Sequence, residues 1–540
     1  MTYQARHMDI RRGRTAPVAA SPRRGADAAR PVFVALTLVI TATLAGSVAA
    51  GIAVWTGWSL AAMALMLPGF LWIAGGAATS LTGLGYPARP GTAPPQGWQP
   101  EGQTAVLMLL CREDPQAVAT RLDKLSAQLE AVGLARQAQL IVLSDTFGAD
   151  AILAEAAALD HLIAANRITY RRRVDNDGRK PGNIAEWFDR QGQDFDHMLV
   201  LDADSQMSGQ RIRRMIWRME TTPGLGLLQA GMSLVPAQSR FGQVQRISSR
   251  VLGPPYAAGL AAWTGRTGNY WGHNALIRTA AFAAAARLPR LSGPAPYGGD
   301  ILSHDFIEAA LIRRAGWAVV FDPDPAGSAE DGPQTLAEFH RRNRRWCQGN
   351  LQHLRLVGMQ GLHPLSRLHL ASGVFGFLAA PLWLALVILM GTGLVTLESG
   401  LAFALILLTL LIPKLAGLWR LAGPGATTWR RQVACRALAA ELMLSSLLAP
   451  IVMLHHTAAV VSVLCGRDCG WKRPGGNGPV LPQGLLEMAT GLGLTALVVT
   501  LNPQGAAWIA PLVAPMIAAP LLIGRIDAVR PDRCPPQNPA

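Results

Sequence analysis

Long uncharged runs frame this chain, and shorter alternating ones fill its middle. Residues 32–55 carry no charge, and residues 58–81 follow as a second apolar run. Each exceeds the ~20 apolar residues that a membrane-crossing helix needs. After a Pro/Gly-rich linker at residues 82–103 the pattern changes. Between residues 104 and 356 short β-like runs recur: TAVLMLL, QLIVLSD, ITYRRR, HMLVLDAD, LGLLQAG and WAVVFDP. Helical spacing fills several gaps, as in Pro115–Gly133, where Val118, Leu122, Leu125 and Leu129 fall on one face. Strands alternating with helices predict an α/β domain with a mostly parallel, Rossmann-like sheet. Apolar runs return at residues 369–395 and 400–421, then at 484–502 and 505–524. Residues 437–465 are apolar but too long for one upright crossing at ~1.5 Å per residue. Pro450, His455 and His456 interrupt them. They form either a hairpin of two short helices or a partly interfacial stretch. With the hairpin, residues 357–524 hold about six helices and the chain makes eight passes.

Composition supports a membrane protein. Half of the 540 residues are hydrophobic, 15% are charged, and mean hydropathy is positive. The net charge of +15 rests on arginine, since the lysines are only Lys124, Lys180, Lys414 and Lys472. Beside long apolar runs such a balance marks cytoplasmic loops facing anionic lipid, and no nucleic-acid partner is expected. Arg6, Arg11, Arg12, Arg14, Arg23, Arg24 and Arg30 precede the first run, so residues 1–31 read as a basic cytoplasmic N-terminus. Arg341 to Arg345, Arg430 and Arg431, and the Arg525, Arg530 and Arg533 of a tail at 525–540 fall on the same side of an even count. GSVAAGIA resembles a cleavage site, but the long first run reads as an uncleaved anchor. Cys111, Cys347, Cys435, Cys465, Cys469 and Cys534 show no zinc spacing and are expected as reduced thiols.

Candidate chemistry clusters at predicted strand ends, where ligands bind in open α/β sheets. LVLDADS places Asp202 and Asp204 one residue apart. Alternate strand positions face one way, so both carboxylates are expected on one side with Ala203 on the other. Carboxylates are costly to bury together, and a hard divalent cation such as Mg²⁺, shared with a diphosphate, would resolve the repulsion. Asp145 ends another strand, where it can accept hydrogen bonds from a uracil or ribose. Lys180 and Asn183 in GRKPGNIAEWF can neutralise a phosphate and bond a nucleotide. Asp305 opens a helix in LSHDFIEAAL, either as a general base or as its N-cap, a role Ser303 could take instead. Arg342, Arg345 and Trp346 share a helix face at i, i+3 and i+4. Arginine clamps diphosphates, and the indole offers a platform for a sugar ring.

The order Asp145, Asp202-Ala-Asp204, Asp305, Arg342-x-x-Arg345-Trp346 resembles the membrane-embedded, processive family 2 glycosyltransferases, which include cellulose and hyaluronan synthases. Within that group LCREDP, LVLDADS, NYWGHNALIR, LSHDFIEAALIRRAGW and RRNRRWCQGNLQHLRL are similar to the glucans biosynthesis glucosyltransferase H family, and LLAPIVMLHHTAAVV extends the likeness. Two positions depart from the wider pattern. Arg342 stands where Q-x-x-R-W has Gln, and Ser303-His304-Asp305 stands for T-E-D; both suit the periplasmic-glucan branch. The chain also reads as lacking the long C-terminal extension of some members.

The resemblance implies a glycosyltransferase A-type catalytic domain at 104–356, cytoplasmic and embedded in a multi-pass helical membrane domain of the bacterial inner membrane. It implies transfer of glucose from UDP-glucose, with inversion, to a β-1,2-linked osmoregulated periplasmic glucan. Asp305 is then the base, Asp202 and Asp204 hold Mg²⁺ or Mn²⁺, and Asp145, Lys180, Asn183 and Asp202 meet the donor. Arg342, Arg345 and Trp346 bind diphosphate and acceptor, and Gly272, His273 and Asn274 line the acceptor side. The later membrane helices form the path of the growing glucan. A periplasmic glucan-processing partner and acyl carrier protein also follow from the resemblance, beside membrane lipid. The alternatives are a cellulose, mannan or hyaluronan type of synthase, and a nucleotide-regulated membrane transporter that needs no base.

Overall fold

The computed structural model describes residues 24–87, 91, 93–285, 288–469 and 484–528. The arginines up to Arg23, Arg530, Arg533, Lys472 and Cys534 lie outside the described residues.

Two long helices open the chain, α1 (Arg24–Gly51) and α2 (Gly57–Gly85). The middle region runs β1 (Thr104–Leu110), α3 (Pro115–Ala131), β2 (Ala138–Ser144), α4 (Ala149–Ala164), β3 (Thr169–Arg172) and α5 (Arg179–Gln191). It continues through β4 (His197–Asp202), β5 (Gln206–Met207), α6 (Gly209–Glu220), β6 (Leu225–Ala230), β7 (Ser233–Leu234) and α7 (Arg240–Thr264). It closes with β8 (Ala275–Arg278), α8 (Thr279–Ala285), α9 (His304–Arg314), β9 (Ala318–Asp322), β10 (Ser328–Glu330) and α10 (Leu336–Gln352). Among the described residues six α-helices follow: α11 (Pro364–Gly391), α12 (Gly400–Ala422), α13 (Thr428–Leu464), α14 (Leu485–Leu501), α15 (Gly505–Ile517) and α16 (Ala519–Ile526).

The central sheet has the order β3-β2-β1-β4-β8-β6-β9. Only β8 runs antiparallel, to both β4 and β6. Successive β1 residues serve opposite faces, as the two-residue period requires. Val106, Met108 and Leu110 join Leu122, Leu125 and Leu129 of α3 in one core, while Ala105, Leu107 and Leu109 join Ile184 and Trp187 of α5 in the other. Asp114 caps α3 by accepting from the Gln116 amide at 3.0 Å, and Pro115 fits the first turn, where no amide is needed. A small sheet, β5-β10-β7, stands beside the carboxyl end of β4.

This is a membrane protein. Among the described residues α1, α2, α11, α12 and α13 are long and apolar enough to cross a bilayer, and α15 with α16, bent by 52°, makes a sixth candidate. At one end of the bundle the Glu398 amide bonds the Gly51 carbonyl at 2.9 Å, and the Asn502 amide bonds Gly391 at 3.1 Å. At the other end the helices meet the α/β domain. A Cβ on Gly83 would fall 1.8 Å from the Pro255 carbonyl oxygen, so only glycine lets α2 cross α7 this closely.

The hairpin expected within residues 437–465 is absent. A single 37-residue helix, α13, runs through it and buries Pro450. Along its course α13 follows α10. The His340 and His455 rings stack at 3.5 Å, Asn343 bonds His456 at 3.1 Å, and Arg344 donates to Ser462 at 3.4 Å. Just beyond α13, Gln348 donates to Asp468 at 2.8 Å. With Glu338, Arg341, Arg342, Arg344 and Arg345, α10 is too charged for hydrocarbon. That α13 runs along so charged a helix favours the interfacial alternative over the hairpin. By length and composition α13 is still one of the five span candidates among the described residues, while α14, with 17 residues, is a shorter apolar helix.

Candidate active site

β1 lies between β2 and β4, and the chain leaves it toward both neighbours. A crevice therefore forms beyond its carboxyl end, at the point where the strand order reverses. Asp145 stands on one side of that crevice and Asp202 on the other.

Asp145 continues β2, its amide bonding the Leu110 carbonyl at 2.8 Å. Its buried carboxylate accepts from both arms of Arg173, one at 3.0 Å, and from the Asn183 amide at 2.9 Å. Arg173 also donates to the carbonyls of Asp177 and Arg179 at 2.8 and 2.7 Å, and to Asn176 at 3.1 Å. One guanidinium thus fixes both the carboxylate and the loop that leads into α5. The loop needs its glycine: a Cβ on Gly182 would lie 2.0 Å from the Asp177 carbonyl oxygen. That turn delivers Lys180, whose ammonium bonds Asp202 and, at 2.8 Å, the Gly272 carbonyl.

β4 ends at Asp202, and Asp204 lies in the turn that follows. Ala203 is buried between two partly exposed carboxylates, as strand alternation predicts. Arg121 of α3 holds the turn by donating to the Ala203 carbonyl at 2.9 Å, and Ser205 accepts the Asp202 amide at 3.0 Å. Burial pushes the Asp202 carboxyl up, but Lys180, His273 and His304 outweigh it and hold the group below its usual range. Asp204 has no cation in contact. Burial and the Asp202 charge raise it to about 6. It makes no hydrogen bond or ion pair with any described residue. A partner-free carboxylate beside a second one is a hard-oxygen donor set that fits a divalent cation.

Asp305 lies in the first turn of α9. Ser303 holds the N-cap position without a side-chain bond, and Asp305 makes no capping bond either. Its carboxylate faces Gly272, where a Cβ would stand 3.7 Å from Oδ2. Gly272 has φ +91°, a conformation that glycine adopts without strain, and its carbonyl receives both Lys180 and, at 2.7 Å, the Tyr270 hydroxyl. One glycine therefore joins the Asp305 side of the site to the Asp202 side. Burial raises Asp305 above the usual carboxylate range; His304 opposes this and Glu308 adds to it.

On α10 the Arg342 guanidinium lies 5.2 Å over the Trp346 ring, so the spacing does place them on one face. The Arg342 charge reaches Asp204. Burial, then the charges of Arg342, Arg341 and Arg179, press on Arg345, marking a cationic cluster suited to an anion. His273 borders Asp202 but is tied to Glu330 at 3.2 Å. Burial would lower its imidazole, yet the Glu330 bond and the Asp202 charge raise it.

Asn274 is a correction. It is fully buried, its φ is 49°, and its amide donates to Ser328 at 2.9 Å. It ties β8 to β10 behind the site and has no surface to offer an acceptor. Arg173, Arg179, Arg121, Tyr270 and Glu330 escaped the sequence reading. The arginine run at the end of β3 was the one signal that pointed to Arg173.

Known proteins resemble this chain in sequence. The model of the glycosyl transferase family group 2 matches residues 197–419. A glucans biosynthesis glucosyltransferase H from Bradyrhizobium diazoefficiens is 42% identical over 402 residues, 68% of this chain and 54% of that protein. Its counterpart from Xanthomonas campestris pv. campestris is 38% identical over 459 residues, covering 77% of this chain and 70% of the relative. The chain spans 54% of the first relative and 63% of a Vibrio cholerae one. Among solved structures, a mannosyltransferase from Pyrobaculum calidifontis in complex with GDP-Man and Mn²⁺ aligns at a TM-score of 0.43 and 14% identity, over 80% of this chain and 99% of that one.

Proposed function

The chain belongs to the glucans biosynthesis glucosyltransferase H family, and on that premise we propose that it transfers glucose from UDP-glucose to a growing β-1,2-linked glucan. The observation that carries this reading is the pairing, through Gly272, of the Asp305 carboxylate with Lys180 and Asp202. A nucleotide-binding regulator has no use for the first of these.

In the proposed reaction Asp305 takes the proton of an acceptor hydroxyl. That oxygen attacks the anomeric carbon as the bond to the diphosphate breaks on the opposite face, so the configuration inverts. The raised basicity of Asp305 suits this role. Lys180, Arg179 and Arg345 stabilise the departing diphosphate as charge develops on it. Asp145, oriented by Arg173, and Asn183 meet the nucleoside, and Trp346 supports the acceptor sugar. Asp202 and Asp204 would hold Mg²⁺ or Mn²⁺, which when bound supplies further charge against the leaving group. The domain and both termini face the cytoplasm of the inner membrane, where nucleotide sugars are made, and arginine placement supports that side.

The test is linkage analysis of the polymer formed by the purified full chain in lipid nanodiscs fed labelled UDP-sugars. A β-1,2-glucan from UDP-glucose is expected. A β-1,4-linked or aminosugar-containing product would assign the chain to another family 2 synthase. Binding of UDP-glucose without any release of UDP would favour the transporter.

A further inference from the structure

The stripe of α10 that carries Arg342, Arg345 and Trp346 does not end at the tryptophan. Gly349, Gln352 and His353 follow at i+7, i+10 and i+11 from Arg342, so helical spacing keeps all six on one side. Trp346 is exposed, whereas Gln352 and His353 are buried. Against their end of the stripe lies the segment that leads into α9. The Gln352 oxygen accepts the Leu302 amide at 2.9 Å, and its nitrogen donates to the carbonyls of Asp300 and Gly298 at 3.2 and 3.4 Å. His353 donates from Nε2 to the Ser303 carbonyl at 2.8 Å. Burial lowers its imidazole to about 4, so the ring is neutral and carries its N–H proton on the nitrogen that meets this carbonyl. The ring also stacks on Phe306, with centroids 5.7 Å apart.

Two adjacent side chains of α10 thus hold four backbone groups, at residues 298, 300, 302 and 303, in the segment that ends at Asp305. Gly349 lets that segment lie against the helix, for a Cβ there would fall 2.6 Å from the Ser303 amide nitrogen. α9 has no side-chain cap of its own, since Ser303 makes no capping bond. A helix start without a local cap takes its place from its surroundings. A buried amide whose partners all come from one short segment fixes the path of that segment.

We propose that Gln352 and His353 are positioning residues for the transfer: they set the start of α9 so that Asp305 stands in register with Arg345 and Trp346 of the same helix stripe. This rests on Asp305 as the base. The acceptor hydroxyl must lie between the base and the anomeric carbon, and a displacement of about 1 Å in such a geometry costs about a hundredfold in rate. Both side chains are buried behind the segment they hold, so the loss falls on the transfer step and not on UDP binding.

UDP release from UDP-glucose and UDP affinity by calorimetry, both on the purified full chain in lipid nanodiscs, test this. Gln352→Met keeps the volume and removes the bonds to Leu302, Asp300 and Gly298. It should lower kcat about a hundredfold with UDP affinity retained. His353→Phe keeps a ring against Phe306 and loses the donor, so kcat should fall in the same way. His353→Gln places an amide nitrogen where Nε2 stood and should recover most of the loss. In an Asp305→Asn background Gln352→Met should add little, because the group it positions is already gone. Wild-type kcat in both Gln352→Met and His353→Phe would overturn the proposal. So would a fall in UDP affinity as large as the fall in kcat, no recovery in His353→Gln, or an undiminished effect in the Asp305→Asn background. Where one of the two residues does not tolerate substitution, variants of the other decide. Normal turnover by Asp305→Asn refutes the base reading itself, whereas silent variants at 352 and 353 beside an inactive Asp305→Asn refute the positioning alone.

Discussion

Replacing Arg173 with Met removes the guanidinium that grips Asp145 with both arms and ties down the loop from Asn176 to Arg179. Both side chains of the pair are buried, at 6% exposure each. Asp145 keeps only the Asn183 amide, so a buried carboxylate is left without its counter-charge. Breaking a buried pair in this way costs about 3–5 kcal/mol. For a domain of this size each kcal/mol lowers the melting midpoint by about 2–4 °C, so a drop of roughly 6–20 °C is expected. The assay is tryptophan fluorescence during heating of the purified chain in detergent. Asp145→Asn added to Arg173→Met removes the stranded charge, so the double variant should melt above Arg173→Met. Because the loop also delivers Lys180, UDP binding by Arg173→Met should fall as well. Wild-type melting together with wild-type UDP binding would show that Arg173 neither neutralises Asp145 nor positions the loop.

Asp305→Asn should lower UDP release from UDP-glucose about 10²–10⁴-fold with UDP affinity retained, measured by coupled UDP release and by calorimetry; near-normal turnover would remove Asp305 from the base role. Asp204 titrates near 6 without a metal, and protons compete with a cation for it. Mn²⁺ affinity, followed by electron paramagnetic resonance, should therefore weaken as pH falls from 7.5 to 5, and Asp204→Asn should flatten that dependence; a flat wild-type profile would separate Asp204 from metal binding. Gly182→Ala should unseat Lys180, because its Cβ cannot share space with the Asp177 carbonyl, and donor KM should rise; an unchanged KM counts against that turn. Single cysteines at positions 426 and 467, which flank α13, should label from the cytoplasmic side only; labelling of one of them from the periplasm would make α13 a crossing helix.

The positions of three candidate residues were legible because local pattern carries them. Asp145, Asp202 and Asp305 each end a strand or begin a helix that hydrophobic periodicity reveals, and such ends gather at one edge of the sheet. Arg173 was not legible. Its role comes from β3 pairing with β2, which brings Asp145 to it from 28 residues away, and from the following loop folding back over it. Asn274 misled for the opposite reason. It adjoins Gly272 and His273 in a motif, but its left-handed backbone turns the amide toward β10. Adjacency in sequence placed it in the site, and one dihedral angle took it out. The strand β8 that follows is only four residues long, too short for alternation to register.

The largest difference between sequence and structure concerns α13, and its cause is physical. Hydropathy measures how much apolar surface a segment has; it does not say what covers that surface. Lipid covers much of α12, whose Leu401, Leu407, Leu408 and Trp419 are exposed. In α13, Val460 and Val463 pack on Cys347 and Leu351 of α10 and on Val374 and Phe377 of α11, while Leu444 and Ile451 pack on Phe241 of α7 and Leu336 of α10. A protein core and a bilayer leave the same mark on composition. Length was the signal that set α13 apart: 37 residues rise about 55 Å, nearly twice the hydrocarbon thickness, so an upright crossing would leave about 25 Å of the helix outside the bilayer. A turn at Pro450 would have exposed free carbonyls in the membrane. Lying along charged α10 keeps the helix whole and lets its polar residues meet partners, as His456 meets Asn343. The same placement carries Asp468 and Cys469 to Gln348, within reach of the Arg345 charge. The residues that follow α13 thereby meet α10 beside Arg345, so substitutions on the α10-facing side of α13 should disturb donor binding as well as stability.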